Sequence, residues 1–381
     1  MEIFNFTFNY IFVFIIVLSI LVFVHEWGHY RVALKNGVRV EVFSIGFGPE
    51  LFGWTNTANT RWKVCAIPLG GYVKMFGEGE ENENGDPREL TADEKAVSFS
   101  HKTVGQRAAI IFAGPAINFI FAALILAVMA GTIGTARPLA GVGDIMPASA
   151  AEKAGLIKGD RIVAIDGQNI TWFEDLREIV SKNPGNTLNF TIERNKQILN
   201  IPITPGTIVA KQSEPNGENE EPETGRLGVA PDPQQIDYIR QNPIMALWTG
   251  VRQTGILSVR IVSYVGDIIS GKRSAEELGG VLRIAQVSGQ MAQNGLFDVL
   301  FLMAMLSINL GVINLFPIPV LDGGHLLFLG FEAVRGKPLG ANAQEYGFRL
   351  GLILLLILFV YVTWNDLVQL QVIEFVKELI T

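Results

Sequence analysis

Four long stretches without a charged residue alternate with polar segments along the chain. They cover residues 3–24, 108–136, 299–321 and 351–364, and the last can be extended by the flank 346–350. About 20 apolar residues are enough for a helix to cross the hydrocarbon core of a bilayer. Buried core helices of soluble proteins rarely stay uncharged over such lengths. The pattern therefore predicts an α-helical polytopic membrane protein with about four transmembrane helices.

Lys and Arg residues set the expected orientation, because they are enriched in cytoplasmic loops. They follow the first apolar run, precede the second and lie between the third and fourth: Arg31, Lys35, Arg39, Lys95, Lys102, Arg107, Arg335, Lys337 and Arg349. The first run has neither a basic segment before it nor a small-residue cleavage site after it, so we expect a retained span rather than a cleaved signal peptide. The N-terminus and residues 137–298 are predicted to lie outside the cytoplasm, and residues 25–107 and 322–349 inside.

Composition agrees with this architecture and excludes other classes of protein. Hydrophobic residues make up 49% of the 381 residues and charged residues 18%, below the ~25% of an average globular domain. The net charge of −7 would repel nucleic-acid phosphates, so we expect no nucleic-acid partner. The single cysteine, Cys65, excludes a disulfide framework and a Cys-based zinc site of the usual four-ligand kind. What remains is a membrane protein that carries soluble segments.

A cluster of ionisable residues follows the first apolar run directly, in the order His25-Glu26-Trp27-Gly28-His29. On a helix, residues four apart share a face, so both imidazoles could bind one Zn²⁺ while Glu26 reaches the water bound to it. A polar helix end at the membrane interface is the alternative. Three ionisable side chains in a membrane helix are costly and usually functional, so the pattern predicts a metal site.

A catalytic zinc usually has three protein ligands and one water. The other histidines, His101 and His325, are candidates, as is a carboxylate at matching depth. Asp322 ends the third apolar run at the predicted depth of the histidine pair, in a segment where Pro317 and Pro319 cannot continue a regular helix. Irregular backbone at membrane depth is tolerated only when it is buried or lines a wet cavity. These residues favour Asp322 as the third ligand, with His325 as the rival.

The paired motifs resemble the site-2 protease family of intramembrane zinc metalloproteases, and the bacterial RseP type is the most similar. The second motif has Asn314, Pro317, Asp322 and Gly323 in the order N-x-x-P-x-x-x-x-D-G. Further similar segments are 46–49, 67–77, 106–107 and 113–118. The resemblance covers nearly the whole chain.

The resemblance implies a role for each of several residues. Three would bind zinc: His25, His29 and Asp322. Glu26 would be the general base, and Asn314, together with Asn309, would hold the substrate backbone or the developing oxyanion. Segment 67–77 would be a re-entrant β-loop that presents an edge to an extended substrate, since Gly70 and Gly71 permit close approach of another backbone. By itself, that segment could equally be an ordinary surface hairpin.

The chain departs from the family pattern in two places. Many proteins of the RseP type carry two extracytoplasmic PDZ domains, whereas this chain has room for one. A Gly-Pro-containing stretch is expected near residues 279–283, ahead of the third span, and the sequence there lacks it. These departures concern how substrates are filtered and leave the chemistry unchanged.

Residues 138–232 are predicted to form an inserted extracytoplasmic α+β domain, similar to PDZ domains of bacterial envelope proteases. Its expected elements are a hairpin at Asp166-Gly167, helices over 149–154 and 172–182, and paired strands over 187–192 and 197–203. PDZ domains bind peptides by strand addition. The domain would therefore capture a peptide ligand or, alternatively, act as a packed spacer that excludes bulky substrates.

The remaining boundaries follow from these elements. Residues 1–137 would form the first membrane part, 233–298 an extracytoplasmic helical linker and 299–381 the second membrane part. Residues 211–224 have the composition of a flexible linker. Residues 243–270 show apolar positions at helical spacing, which predicts a helix at the outer membrane surface, although a second soluble core is possible.

The predicted activity is that of a zinc endopeptidase in the bacterial cytoplasmic (inner) membrane. Its partners would be the lipid bilayer and single-span membrane proteins, with a membrane anti-sigma factor or signal-peptide remnants as expected substrates. A non-catalytic PDZ-bearing membrane scaffold that captures envelope peptides is the main alternative. A zinc transporter or sensor is another, but several ligands along a path would be expected for it.

Overall fold

The computed structural model describes residues 2–77, 90–208, 224–277 and 279–369. Its helices are α1 (Glu2–Lys35), α2 (Ala92–Val97), α3 (Val104–Thr132), α4 (Ala150–Lys153), α5 (Phe173–Ser181), α6 (Pro243–Ile269), α7 (Val281–Asn294), α8 (Leu296–Asn314), α9 (Asp322–Arg335) and α10 (Ala341–Gln369). Internal contacts divide the chain into two compact units, of which one comprises residues 129–242 and the other comprises 1–128 and 243–381.

The strands alternate with these helices and form small antiparallel sheets. They are β1 (Val40–Thr55), β2 (Arg61–Met75), β3 (Thr135–Pro138), β4 (Val142–Ile145), β5 (Arg161–Ile165), β6 (Gln168–Asn169), β7 (Leu188–Arg194), β8 (Gln197–Ile203), β9 (Gly206–Ile208), β10 (Thr224–Arg226), β11 (Val229–Pro231) and β12 (Ile236–Ile239). The first two strands belong to the unit formed by residues 1–128 and 243–381, and the other ten belong to residues 129–242.

Four of the described helices are long and apolar enough to cross a membrane, namely α1, α3, α8 and α10. This number confirms the prediction and makes the chain a multi-pass membrane protein. All four helices differ in their ends from the apolar runs, and two of the differences lie next to the predicted metal ligands. Helix α1 continues beyond its run to Lys35, and α8 ends at Asn314 rather than near residue 321. The second difference follows from Pro317 and Pro319, which cannot supply the N–H groups that a continuing helix needs.

Small side chains bring α3 and α8 into close contact. Ala122 on α3 and Ala304 on α8 are fully buried, and Leu126, Ile308 and Val312 complete the same cluster. Small residues at such interfaces let helix backbones approach closely, and helix association within a bilayer depends on this packing. The interface fixes the depth of α8 relative to α3.

Strands β1 and β2 form a long antiparallel hairpin that packs against the end of α1. Its core contains Phe43 of β1, which stacks on Trp62 of β2 with 4.1 Å between ring centroids, and Tyr30 of α1. Segment 67–77 therefore lies mostly in a strand, as expected for a β-loop. The hairpin places one strand beside the helix that carries the predicted metal ligands.

Helix α10 is the least buried of the four spanning helices, because other parts of the protein bury only 6% of its most apolar stretch. Its end is nevertheless fixed by a buried carboxylate. Asp366 is 1% exposed and accepts hydrogen bonds from the backbone N–H groups of Gly280 (2.8 Å) and Arg283 (3.1 Å), at the start of α7. A carboxylate at a helix N-terminus satisfies N–H groups that have no partner within the helix, so Asp366 holds α10 to α7.

A partly buried ion pair joins α3 to α9. Arg107 donates a hydrogen bond to Glu332, and the two side chains are 16% and 14% exposed. Arg107 also donates through Nε to the backbone carbonyl of Lys102. Since removal of one partner would leave a buried charge uncompensated, this contact resists any displacement of α9.

We expect Arg107→Met to destabilise the protein by about 2 kcal/mol, because Glu332 would remain partly buried without its partner. Thermal unfolding in detergent micelles should therefore show a lower midpoint. The double variant Arg107→Met/Glu332→Leu should recover most of the loss, since apolar residues of similar volume can replace a buried ion pair. An unchanged midpoint in the single variant would show that the pair contributes nothing to stability.

Residues 129–242 are built around a four-stranded sheet in the order β6-β5-β7-β8. The elements expected from the sequence are present. Asp166 and Gly167 form the turn between β5 and β6, α5 occupies the predicted helix, and β7 pairs with β8. Ser149 caps α4 by accepting a hydrogen bond from the Glu152 N–H. The core includes Ile162, Phe190 and Ile192, all fully buried.

This unit extends beyond residues 138–232 on both sides. Strand β3 pairs with β12, so residues 236–239 lie in a sheet rather than in a helical linker. No local pattern predicts this pairing, since the two short strands lie about 100 residues apart. Helix α6 confirms the helix expected over 243–270. Apart from Thr224, the predicted linker 211–224 lies outside the described residues.

Candidate metal centre

Helix α1 presents His25 and His29 on one face, as their spacing requires. Both are 8% exposed, and their Nε2 atoms are 3.2 Å apart. The chain can bring α1 close to α3 because Gly28 lies between them. A Cβ at Gly28 would be 2.4 Å from the carbonyl oxygen of Ala113.

Asp322 completes the cluster as the first residue of α9. Its Oδ2 atom is 3.2 Å from His25 Nε2 and 3.6 Å from His29 Nε2. Behind it, Gly323 and Gly324 press against the turn that follows α8, where a Cβ would lie 2.3 Å from Phe316 O and 2.4 Å from Ile318 O respectively. The two glycines therefore let α9 start close enough to place the carboxylate beside the histidines.

The outer nitrogens of both imidazoles are held by α3. His29 Nδ1 lies 2.9 Å from the backbone carbonyl oxygen of Ile110, to which it donates a hydrogen bond. His25 Nδ1 lies 3.0 Å from Nδ2 of Asn118, which is fully buried. Partners of this kind fix ring orientation and thereby direct the Nε2 atoms towards a common point.

The three ligand atoms fit a tetrahedral zinc ion. Bonds of about 2.0–2.1 Å to a tetrahedral centre place ligand atoms roughly 3.3 Å apart, and the three separations here are 3.2, 3.2 and 3.6 Å. Asp322 Oδ2 is buried and accepts no hydrogen bond. With Nδ1 of His29 donating to a carbonyl, Nε2 of the neutral ring carries a lone pair that points at Asp322. Lone pairs that converge in a buried site repel one another unless a cation binds between them, so the geometry fits a metal ion.

Gly114 of α3 keeps space beside the cluster. A Cβ there would be 2.2 Å from His29 Nε2 and 2.9 Å from Cε1 of His25. The glycine therefore leaves space for the two ligand rings, since any side chain at this position would displace them.

Glu26 lies between the cluster and the β-hairpin. It is close enough to His25, His29 and Asp322 to interact electrostatically with all three, and the backbone of Val73 hydrogen-bonds to it. A Cβ at Gly71 of β2 would be 3.2 Å from Glu26 Cγ. Glu26 therefore lies beside the cluster, on the side of the β-hairpin.

The hairpin glycines differ in what they contact. Gly71 faces α1, where a Cβ would be 2.7 Å from Val22 Cγ1, whereas Gly70 has φ of +125° and faces the ring of Phe47 within its own hairpin. Only Gly71 permits the close approach of β2 to the helix that carries the metal ligands. Gly70 is needed for its backbone conformation, which L side chains rarely adopt.

The structure separates the two asparagines of α8. Asn314 Nδ2 is 3.4 Å from His25 Nε2, at the edge of the cluster. Asn309 is half-buried and lies earlier on the same helix. Asn314 is therefore the better placed of the two to hold a substrate atom near the metal.

Neither of the other histidines belongs to the cluster. His325 lies one turn into α9 with its ring 5.1 Å from that of Phe348, and burial lowers its pKa. His101 lies beside the hydroxyl groups of Ser98 and Ser100. Among the described residues, the group with metal-binding geometry consists of His25, His29 and Asp322. The geometry thus favours Asp322 over His325 as the third ligand.

The sequence alone predicts no role for Gly114 or Asn118. Both lie in segment 113–118, whose sequence signal is its resemblance to the site-2 proteases. A polar residue within an apolar span is a signal for function, because lipid does not solvate it. Asn118 fits that description, whereas a glycine among alanines and other glycines gives no comparable signal.

The site defines a class of protein: a metallohydrolase whose ligands lie at the end of a membrane-spanning helix. The sequence model of Peptidase family M50 matches residues 13–358. "Putative zinc metalloprotease Atu1380" of Agrobacterium fabrum is 44% identical over 355 residues, which cover 92% of this chain and 93% of that protein. "Metalloprotease MmpA" of Caulobacter vibrioides is 34% identical over 389 residues, with 96% of each chain covered.

The chain belongs to Peptidase family M50, which confirms the resemblance to the site-2 proteases. It is a zinc metalloprotease, and zinc is its cofactor. The buried carboxylate oxygen without a hydrogen bond and the space at Gly114 are the features of this chain that fit such an ion.

Proposed function

We propose that this metalloprotease hydrolyses peptide bonds within or beside the bilayer, in transmembrane segments of single-span membrane proteins. The observation that carries the proposal is the position of the ligands. His25 and His29 lie on α1, inside the helical segment Tyr10–Lys35 that is long and apolar enough to cross a membrane. A protease with its metal at that depth meets substrates that are themselves in the membrane.

The residues around the metal divide the chemistry among them. Bound zinc supplies a Lewis acid that acidifies water and polarises the scissile carbonyl. Glu26 takes the proton from the attacking water and delivers it to the leaving amine. Asn314 donates a hydrogen bond to the substrate backbone or to the oxygen on which negative charge develops. Asn309 takes part only if the substrate reaches further along α8.

Substrate geometry adds a second requirement. A transmembrane helix satisfies its own amides, so the substrate must unwind before its carbonyl can be attacked. Strand β2 belongs to a two-stranded sheet, and a substrate strand can pair along the side of β2 that faces away from β1. Substrates with small or helix-breaking residues in their span should therefore be cleaved faster. A membrane anti-sigma factor or a signal-peptide remnant would meet these requirements.

Orientation and location follow from the basic residues. Arg31, Lys35 and Arg39 follow the first span and indicate that the metal site lies near the cytoplasmic side of the bacterial inner membrane. The N-terminus and residues 138–232 would then be extracytoplasmic. Helix α6 would lie along the outer membrane surface.

We further propose that residues 138–232 act as a PDZ domain. A groove of about 520 Å³ runs between α5 and the residues around β10 and β11, and its apolar lining includes Leu176, Val180 and Leu227. Such a groove suits an extended peptide, which would be recruited there. The alternative role for the domain is a packed spacer that excludes bulky proteins. The same groove favours a second candidate function, a non-catalytic scaffold that captures envelope peptides.

A reconstituted assay separates the two functions. The purified protein is placed in liposomes with a single-span substrate that carries helix-breaking residues, and with a matched substrate whose span contains only Leu and Ala. We expect cleavage of the first substrate, loss of cleavage with a zinc chelator and recovery on addition of Zn²⁺. A protein that binds zinc but cleaves neither substrate would support the scaffold.

A further inference from the structure

Asn118 is fully buried in α3, and its carboxamide faces one of the metal ligands. Its Nδ2 lies 3.0 Å from His25 Nδ1, while its Oδ1 is buried without a hydrogen-bond partner. The backbone carbonyl of the same residue accepts a hydrogen bond from Ser307 Oγ at 2.9 Å, which ties α3 to α8. A polar side chain at this depth is costly, and packing alone does not account for it.

The two histidines have different partners on their outer nitrogens. His29 Nδ1 faces the carbonyl oxygen of Ile110, which can only accept, so the ring keeps its proton on Nδ1 and Nε2 free. His25 Nδ1 faces a carboxamide, which offers a donor at Nδ2 and an acceptor at Oδ1. His25 alone therefore has a partner that suits either neutral tautomer.

Zinc binding through Nε2 of a neutral imidazole requires the ring proton on Nδ1. A half-turn of the Asn118 carboxamide exchanges Oδ1 and Nδ2, since the two atoms have nearly the same positions in either orientation. With Oδ1 at the position 3.0 Å from His25 Nδ1, the buried oxygen gains the hydrogen-bond donor that it otherwise lacks.

We propose that Asn118 is a positioning residue for the zinc ligand His25. Its Oδ1 accepts a hydrogen bond from Nδ1–H of His25 and thereby directs the Nε2 lone pair of the ring at the cluster. This inference rests on zinc binding at the cluster and is independent of which substrate is cleaved.

Zinc affinity measured by competition with a chelator tests the proposal without any substrate. Asn118→Leu keeps the volume of the side chain but removes the acceptor, and we expect zinc binding about 10- to 100-fold weaker. Asn118→Ala tests the same loss with a smaller side chain, should Leu prevent folding. Asn118→Asp restores an acceptor for Nδ1–H and should bind zinc within a few-fold of the wild type. Ser307→Ala, the matched control, removes only the α3–α8 hydrogen bond and should leave zinc affinity unchanged.

A spectroscopic readout separates positioning from simple packing. The chain has four histidines, so ¹⁵N-histidine labelling gives few signals. We expect the Nδ1–H of His25 to give a hydrogen-bonded signal in the zinc-bound wild type and to lose that signal in zinc-bound Asn118→Leu. Wild-type zinc affinity in folded Asn118→Leu, or a loss in Asn118→Asp equal to that in Asn118→Leu, would overturn the proposal. Absence of proteolysis in a protein that shows the expected affinities would overturn the proposed function alone.

Discussion

Replacement of Glu26 by Gln lowers the rate of peptide hydrolysis by about 10²- to 10⁴-fold, the range expected for loss of a general base. The variant keeps its zinc, because the ligand cluster consists of His25, His29 and Asp322. The amide is close in size to the carboxylate and leaves the packing against β2 intact, but it cannot take a proton from water. Single-turnover cleavage and zinc content, measured on the same preparation, check both parts of the expectation.

A matched control for Glu26→Gln is Glu345→Gln. Glu345 is exposed at the start of α10 and pairs with Arg349 one turn later. Exposed pairs of this kind contribute little to stability, so the control should cleave at the wild-type rate. A Glu26→Gln protein that holds zinc and cleaves as fast as the control would show that another group acts as the base.

Addition of one methyl group at Gly114 removes the metal site. Gly114→Ala places a Cβ 2.2 Å from His29 Nε2, which is far closer than non-bonded atoms approach, so this ligand must move. Misplacement of a reacting group by about 1 Å can cost 10²-fold in rate, and we expect losses of at least that size in zinc affinity and in cleavage. Chelator competition and the substrate assay measure the two losses.

Gly105→Ala is the control for this substitution, because it makes the same change in the same helix. A Cβ at Gly105 meets nothing within 4 Å, so folding, zinc affinity and cleavage should remain as in the wild type. If Gly114→Ala bound zinc as tightly as Gly105→Ala, the described packing of α3 against the histidines would be wrong.

The features that the sequence could predict are those carried by local patterns. Uncharged runs identify the four spanning helices, and a spacing of four residues places His25 and His29 on one face. Turn and capping residues such as Asp166 and Ser149 mark the elements of residues 129–242. For the third ligand, depth in the membrane favoured Asp322, and the structure places it beside the histidines while His325 packs on Phe348.

The features that the sequence could not predict depend on which helices touch. Nothing local in α3 shows that Gly114 faces the ligand rings or that Asn118 meets His25, because both contacts arise only when α1 packs on α3. The pairing of β3 with β12 is likewise a long-range contact between short strands that have no pattern of their own. Asn314 belongs to the N-x-x-P-x-x-x-x-D-G motif and Asn309 does not, and the structure adds that Asn314 Nδ2 lies 3.4 Å from His25 Nε2.

The pairing of β3 with β12 brings the ends of residues 129–242 together. Gln241 N–H donates to the carbonyl of Ala130 at 3.1 Å, so the chain leaves this unit next to where it enters. More than 100 residues lie between these two ends, yet they constrain the rest of the protein only as a short loop would, because the ends are adjacent. Insertions with adjacent ends are tolerated because they leave the host fold unstrained. Evolution, or an engineer, could therefore exchange this module for a larger, smaller or doubled one while the protease retained its catalytic geometry.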